Sequence, residues 1–129
     1  MQYPKAVLFD YGMTLCTEPP ADIEKGFAAI LQYAVSNPRK ITPAQMANLS
    51  EQVERDLGWF NPEQDDPLET WYLSLQRYLL ETLDITLSLS DLQTEQLYWD
   101  VSSPASPAPY IKEVLRALQK RAIPFGVVS

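Results

Sequence analysis

Two short apolar runs at opposite ends of the chain constrain its fold more than any other feature. Ala6 to Phe9 and Phe125 to Val128 read as strands, the first a continuous apolar run suited to burial on both faces, as in a parallel sheet. Each finishes at a polar residue, Asp10 after the first and Ser129 after the second, and Gly12 marks a turn directly after Asp10. In an open parallel sheet, ligands bind beyond the carboxyl ends of the strands. Asp10 and Ser129 therefore mark one candidate site.

The chain between these runs is helical by its spacing. Ile23, Phe27, Ile30, Leu31, Ala34 and Val35 predict a helix from about Ala21, stopped by Asn37 and Pro38. Thr42 with Gln45 forms a capping box, Pro43 takes the first helical position, and Met46, Leu49, Val53 and Leu57 make the apolar stripe of a second helix. A third is capped by Asp66 and opened by Pro67, with Glu69 at its third position. It turns Leu68, Trp71, Tyr72, Leu75, Leu79 and Leu83 to one side. Ser90 and Gln93 open a fourth, whose less regular apolar positions are Leu92, Leu97 and Trp99. The Pro- and Ser-rich stretch 102–109 cannot sustain a helix and reads as a hinge between two lobes. After it Ile111, Val114, Leu115 and Leu118 restore the helical period, and Lys120 and Arg121 stand at the end where the helix dipole favours cations.

Composition narrows the function. The 17 acidic residues outnumber the 10 basic ones, and the net charge of −7 disfavours nucleic acid and anionic membranes as partners. A lone Cys16 and the absence of histidine exclude an internal disulfide, the usual zinc ligand set and a histidine general base. The apolar run near the N-terminus is interrupted by Asp10, so it is neither a signal peptide nor a membrane span, and a cytoplasmic protein is expected.

An apolar strand, "FDYGMTL", a long helical insertion, and then a helix leading into "IPFGVVS" together resemble the N-terminal part of a haloacid-dehalogenase-superfamily hydrolase with a helical cap. The resemblance implies an α/β fold: a Rossmann-like core, here truncated to two parallel strands and one helix, with an inserted four-helix cap. Residues 1–16 are then the core strand and nucleophile loop, 17–103 the cap, and 104–129 the core helix and second strand. It further implies that Asp10 attacks the substrate to form a covalent aspartyl intermediate, while Thr14 fixes the turn and orients it. The Ser129 hydroxyl would bond the transferring phosphoryl oxygens, which main-chain groups at Tyr11 and Gly12 would face. Magnesium would be the cofactor, held by the Asp10 carboxylate and the Gly12 carbonyl, because a carboxylate attacks a phosphate dianion only when a cation neutralises both. The implied activity is magnesium-dependent hydrolysis of a small phosphomonoester.

Two departures from the family pattern matter. Family phosphatases carry a second aspartate two positions after the nucleophile, and Gly12 stands there instead. A general acid is worth about 10² to 10⁴ in rate, so poor leaving groups would suffer. Family members without this acid include dehalogenases and phosphonate-cleaving enzymes, which makes metal-independent halide displacement from a 2-haloacid the alternative. The chain also stops before the family's lysine and acidic pair. Residues 1–129 are therefore expected to belong to a protein of roughly 200 to 250 residues, and to be inactive alone. A non-catalytic fragment or binding module is the third reading.

Plainer roles stand beside these. Asp10 also suits a simple turn cap, and Thr14 and Ser129 are ordinary strand-end residues. Trp71, Tyr72, Tyr78, Tyr98 and Trp99 line a substrate pocket or, at this spacing, form the core of the helical region. Glu51, Glu54, Arg55 and Asp56 read as a solvated helix face. Asp65 and Asp66 resemble a metal-binding pair, though capping accounts for Asp66. Cys16 is expected to be buried against the cap linker and not nucleophilic.

Overall fold

The computed structural model describes residues 4–58 and 72–128. In chain order its elements are β1 (Val7–Asp10), β2 (Cys16–Thr17), α1 (Ile23–Leu31), β3 (Ala34–Ser36), α2 (Pro43–Asp56), α3 (Tyr72–Thr82), β4 (Thr86–Leu87), α4 (Asp91–Ser102), β5 (Ser106–Pro107), α5 (Ile111–Lys120) and β6 (Phe125–Val128). The fold is mixed α/β, and the chain packs as two units: Met1–Pro20 with Ser103–Ser129, and Ala21–Ser102. No helix among the described residues is long and apolar enough to cross a membrane.

In the first, the strand unit, β1 pairs with β6 in parallel, setting Val7 opposite Phe125 and Asp10 opposite Val128. The strands are not covered as their apolar sequences predict. Leu8 is 71% exposed and Val127 55%. The reason is the supply of partners among the described residues: α5 buries only Ile111, and Phe9 finds Phe125 edge-on at 6.5 Å. Part of the Pro- and Ser-rich stretch is itself a strand. Antiparallel β2 and β5 set Cys16 opposite Pro107, the Thr17 and Ser106 hydroxyls lie 3.2 Å apart, and Ala108 N–H donates to the Leu15 carbonyl at 2.9 Å. Helix α5 ends on Ala122 in the left-handed region, with Ile123 N–H donating back to the Leu118 carbonyl, a glycine-type stop made without glycine.

The helical unit is built around Phe27, Ile30, Met46, Leu75, Leu79, Leu83, Ile85 and Tyr98. Asp22 caps α1 by accepting from Lys25 N–H, and Thr42 and Gln45 complete the capping box that opens α2. Helix α1 stops earlier than its apolar spacing predicts. Ala34 and Val35 belong to β3, which pairs antiparallel with β4, and the Tyr33 carbonyl accepts from Ser88 N–H at 2.9 Å. Here a cross-strand partner overrides a helical period that continued by coincidence. Asp65, Asp66, Pro67, Leu68, Glu69 and Trp71 lie outside the described residues, while Leu75 and Leu79 of α3 are buried as their spacing predicts.

Helix α4 uses its expected apolar positions in part: Leu97 is half-buried against the core and Trp99 packs on Tyr72 and Tyr98. The helix buries Thr94, Tyr98 and Ser102, and leaves Leu92 exposed. Gly26 of α1 explains the choice, because a Cβ there would stand 2.5 Å from Tyr98 Cε2. The missing side chain is the space that the tyrosine ring occupies. Tyr72, Tyr98 and Trp99 pack against one another with centroids 4.8 to 5.2 Å apart, whereas Tyr78 points outward. The central aromatic residues of this group are therefore core. Glu54 is a further correction: it is buried, not part of a solvated face, and accepts a 3.1 Å hydrogen bond from the Ser50 hydroxyl. Glu51 and Arg55 do lie outside, as an exposed ion pair at 3.5 Å.

Candidate active site

Asp10 is the last residue of β1, so its exposed carboxylate stands at the carboxyl end of a strand paired in parallel. The chain then folds back sharply. The Tyr11 carbonyl accepts from Leu15 N–H at 2.9 Å and from Cys16 N–H at 3.4 Å, closing a loop over residues 11–16. Within that loop the Thr14 hydroxyl donates to Asp10 Oδ2 at 3.4 Å. A bond of this length leaves the carboxylate's remaining lone pairs free of that hydroxyl and biases its orientation only weakly.

The turn is not made by the glycine. Met13 carries the left-handed backbone, at φ 57°, and Gly12 has no heavy atom within 4 Å of the position a Cβ would take. Neither backbone angle nor crowding accounts for glycine here. What its absent side chain leaves is open space beside the Asp10 loop.

Cys16 is buried in β2 opposite Pro107 of the linker, with Sγ 3.7 Å from the Tyr11 carbonyl and 3.6 Å from Glu18 Oε1. Hydrogen bonding to Cys16 is the largest influence on the Tyr11 phenol, followed by the charge of Cys16, and both push its pKa above the ordinary value. Tyr11 thus stays protonated at neutral pH. Beside the loop lies an open, mostly apolar groove of about 360 Å³, bounded by Tyr11, Leu15 and Cys16 on one side and by Ile111, Lys112 and Leu115 of α5 on the other.

Of the residues predicted for the site, Asp10, Tyr11, Gly12 and Thr14 fall together in this loop. Ser129 lies outside the described residues, one position beyond Val128, the β6 residue set opposite Asp10. As metal ligands, Asp10 offers one carboxylate and Gly12 a main-chain carbonyl. No group of three or more Asp, Glu, Cys or His side chains among the described residues is arranged to hold an ion. Magnesium accepts one or two carboxylates completed by water and phosphate oxygens, so a single aspartate fits as part of such a site. The sequence reading missed Lys112. It lies on α5 between Ile111 and Glu113, and nothing in its spacing marks it as facing the groove.

No protein-family model matches the chain, and no curated protein matches it significantly.

Proposed function

We propose that this chain carries the nucleophile of a haloacid-dehalogenase-type hydrolase with a Rossmann-like core, acting on a small phosphomonoester. One observation carries the reading: an exposed aspartate at the carboxyl end of a parallel strand, followed in the same loop by a threonine whose hydroxyl donates to it. The helical unit takes the part of the family's cap.

In the first step an Asp10 oxygen attacks phosphorus, and the ester bond breaks with its electron pair on the leaving oxygen. Water then cleaves the aspartyl-phosphate, releasing phosphate and restoring the carboxylate. Magnesium, when bound at Asp10 and the Gly12 carbonyl, supplies the charge that lets a carboxylate approach a phosphate dianion. Thr14 biases the orientation of the carboxylate, and Ser129 has the role of bonding the phosphoryl oxygens. Because Gly12 replaces the usual acid, the leaving group departs without help from that position. Tyr11, kept protonated, is the proton donor nearest in sequence. The open apolar groove beside Tyr11 suits an aryl or alkyl leaving group.

The test is to compare aryl and alkyl phosphates in the full protein, wild type against Asp10→Asn. Aryl esters, whose leaving groups need no proton, are expected to turn over much faster, and Asp10→Asn to abolish both reactions. Activity surviving in Asp10→Asn rejects the covalent route. Equal rates on the two ester classes would show that another group replaces the acid.

Gly12 also favours a second reading, 2-haloacid dehalogenation, in which Asp10 displaces halide and no leaving-group proton is required. Chelation of divalent ions separates the two, since phosphatase turnover is expected to vanish with EDTA and dehalogenase turnover to persist.

A further inference from the structure

The helical unit holds a second concave site that the proposed chemistry does not use. A groove of about 300 Å³ is lined by residues of α3, β4 and α4, with Arg77, Glu81, Asp91 and Thr94 among its walls. A smaller cavity of about 20 Å³ shares Arg77, Leu80, Asp91 and Thr94 with it and is further lined by Gln76. The small cavity thus adjoins the groove.

Gln76 is only 2% exposed, yet among the described residues neither its amide nitrogen nor its amide oxygen has a hydrogen-bond partner. The large majority of buried side-chain polar atoms are satisfied, so an orphan amide lining a cavity that adjoins a groove marks a place for a guest. Thr94, also buried, donates its hydroxyl to the Ser90 carbonyl at 3.0 Å and keeps its own oxygen available as an acceptor.

Charge selects the guest. Arg77 is taken up by Glu81 at 2.8 Å and approaches Asp91 at 3.9 Å, so its positive charge is already answered. Taken together, the two adjoining cavities set the carboxylates of Glu81 and Asp91 against the one guanidinium of Arg77, a net negative charge that repels phosphates and carboxylates and attracts cations. The start of α4 gives an anion no foothold either, because Asp91 occupies its first turn and the Ser90 and Gln93 side chains cap it.

We propose that this groove binds a small protonated amine, its ammonium group entering the small cavity beside Gln76, Thr94 and Asp91. An ammonium brings three N–H donors and no acceptor, matching the Gln76 carbonyl oxygen, the Thr94 hydroxyl oxygen and the Asp91 carboxylate. The alkyl part lies along Leu80, Ile85 and Leu87 in the adjoining groove.

The test is a titration of the isotope-labelled full chain with n-butylamine at constant ionic strength, followed by NMR. Saturable shifts centred on the Gln76 side-chain amide and on Thr94 are expected. Gln76→Leu should weaken binding about tenfold, as for loss of one hydrogen bond inside a charged site. Asp91→Asn, at an exposed position that threatens no packing, should weaken it as well and keeps the test decisive if Gln76→Leu folds poorly. Shifts spread over all surface carboxylates and unchanged in Asp91→Asn would mean screening only and overturn the proposal. So would a Gln76 amide that contacts water and does not respond to the amine.

Discussion

In the helical unit Phe27, Ile30, Met46, Leu79 and Tyr98 are completely buried, whereas in the strand unit the buried hydrophobic residues among those described are Cys16 and Ile111, with Leu8, Met13, Phe125 and Val127 open. The two regions differ in how much of their apolar surface they bury. Helices α1 to α4 carry their own core, so their stability is local. The strand unit carries Asp10 and Thr14, to which the proposed chemistry is assigned, and leaves much of its apolar surface uncovered among the described residues. Substitutions should therefore separate cleanly, with large stability effects in one unit and large functional effects in the other.

The largest stability contrast comes from removing one leucine on each side. Leu79→Ala should cost about 2–5 kcal/mol, because a fully buried side chain leaves a cavity behind. Leu8→Ser, on an exposed position, should stay within about 0.5 kcal/mol. Thermal melts of both variants check this, and equal losses would break the division. Next in size is Gly26→Ala, expected to cost about 1–3 kcal/mol by overpacking, since the new methyl meets a Tyr98 ring with no room to yield. Thr42→Ala, which removes half of the capping box on α2, should cost about 1 kcal/mol in a denaturant titration.

The smallest effect is a pH dependence. Burial is the main cause that raises the pKa of Glu54, and the bond from Ser50 opposes it. The folded state then holds this proton more tightly than the unfolded state does. Its contribution is fully present below the unfolded carboxyl value and is lost as pH rises through the raised folded value. Glu54→Gln should remove that loss of stability with rising pH and so melt higher than wild type at neutral pH. A variant that melts no higher at neutral pH would assign the dependence to another group.

Much of this was legible in the sequence because local chemistry set it. The Thr42 and Gln45 box, the Ser90 cap, the stripe through Leu75 and Leu79, and two apolar strands paired in parallel all follow from spacing and capping. Where non-local partners decided, spacing misled. Ala34 and Val35 continue the period of α1 but pair with β4, and α4 buries Tyr98 only because Gly26 makes room on another helix. Glu54 sits one helical turn after Ser50, a polar pair at contact spacing that looks solvated until a neighbouring helix covers it. At the candidate site, Asp10 and Thr14 were readable as a motif. The left-handed Met13 was not, since methionine carries no turn signal and the adjacent glycine draws the eye.

Mass spectrometry of the full protein after brief exposure to an aryl phosphate and magnesium tests the nucleophile most directly. One phosphoryl group is expected on the peptide containing Asp10. It should be absent in Asp10→Asn, whose melting temperature should match wild type because the substituted side chain is exposed at a strand end. Continued turnover with Asp10 unlabelled, or undiminished turnover in Asp10→Asn, would contradict the assignment of chemistry to this strand.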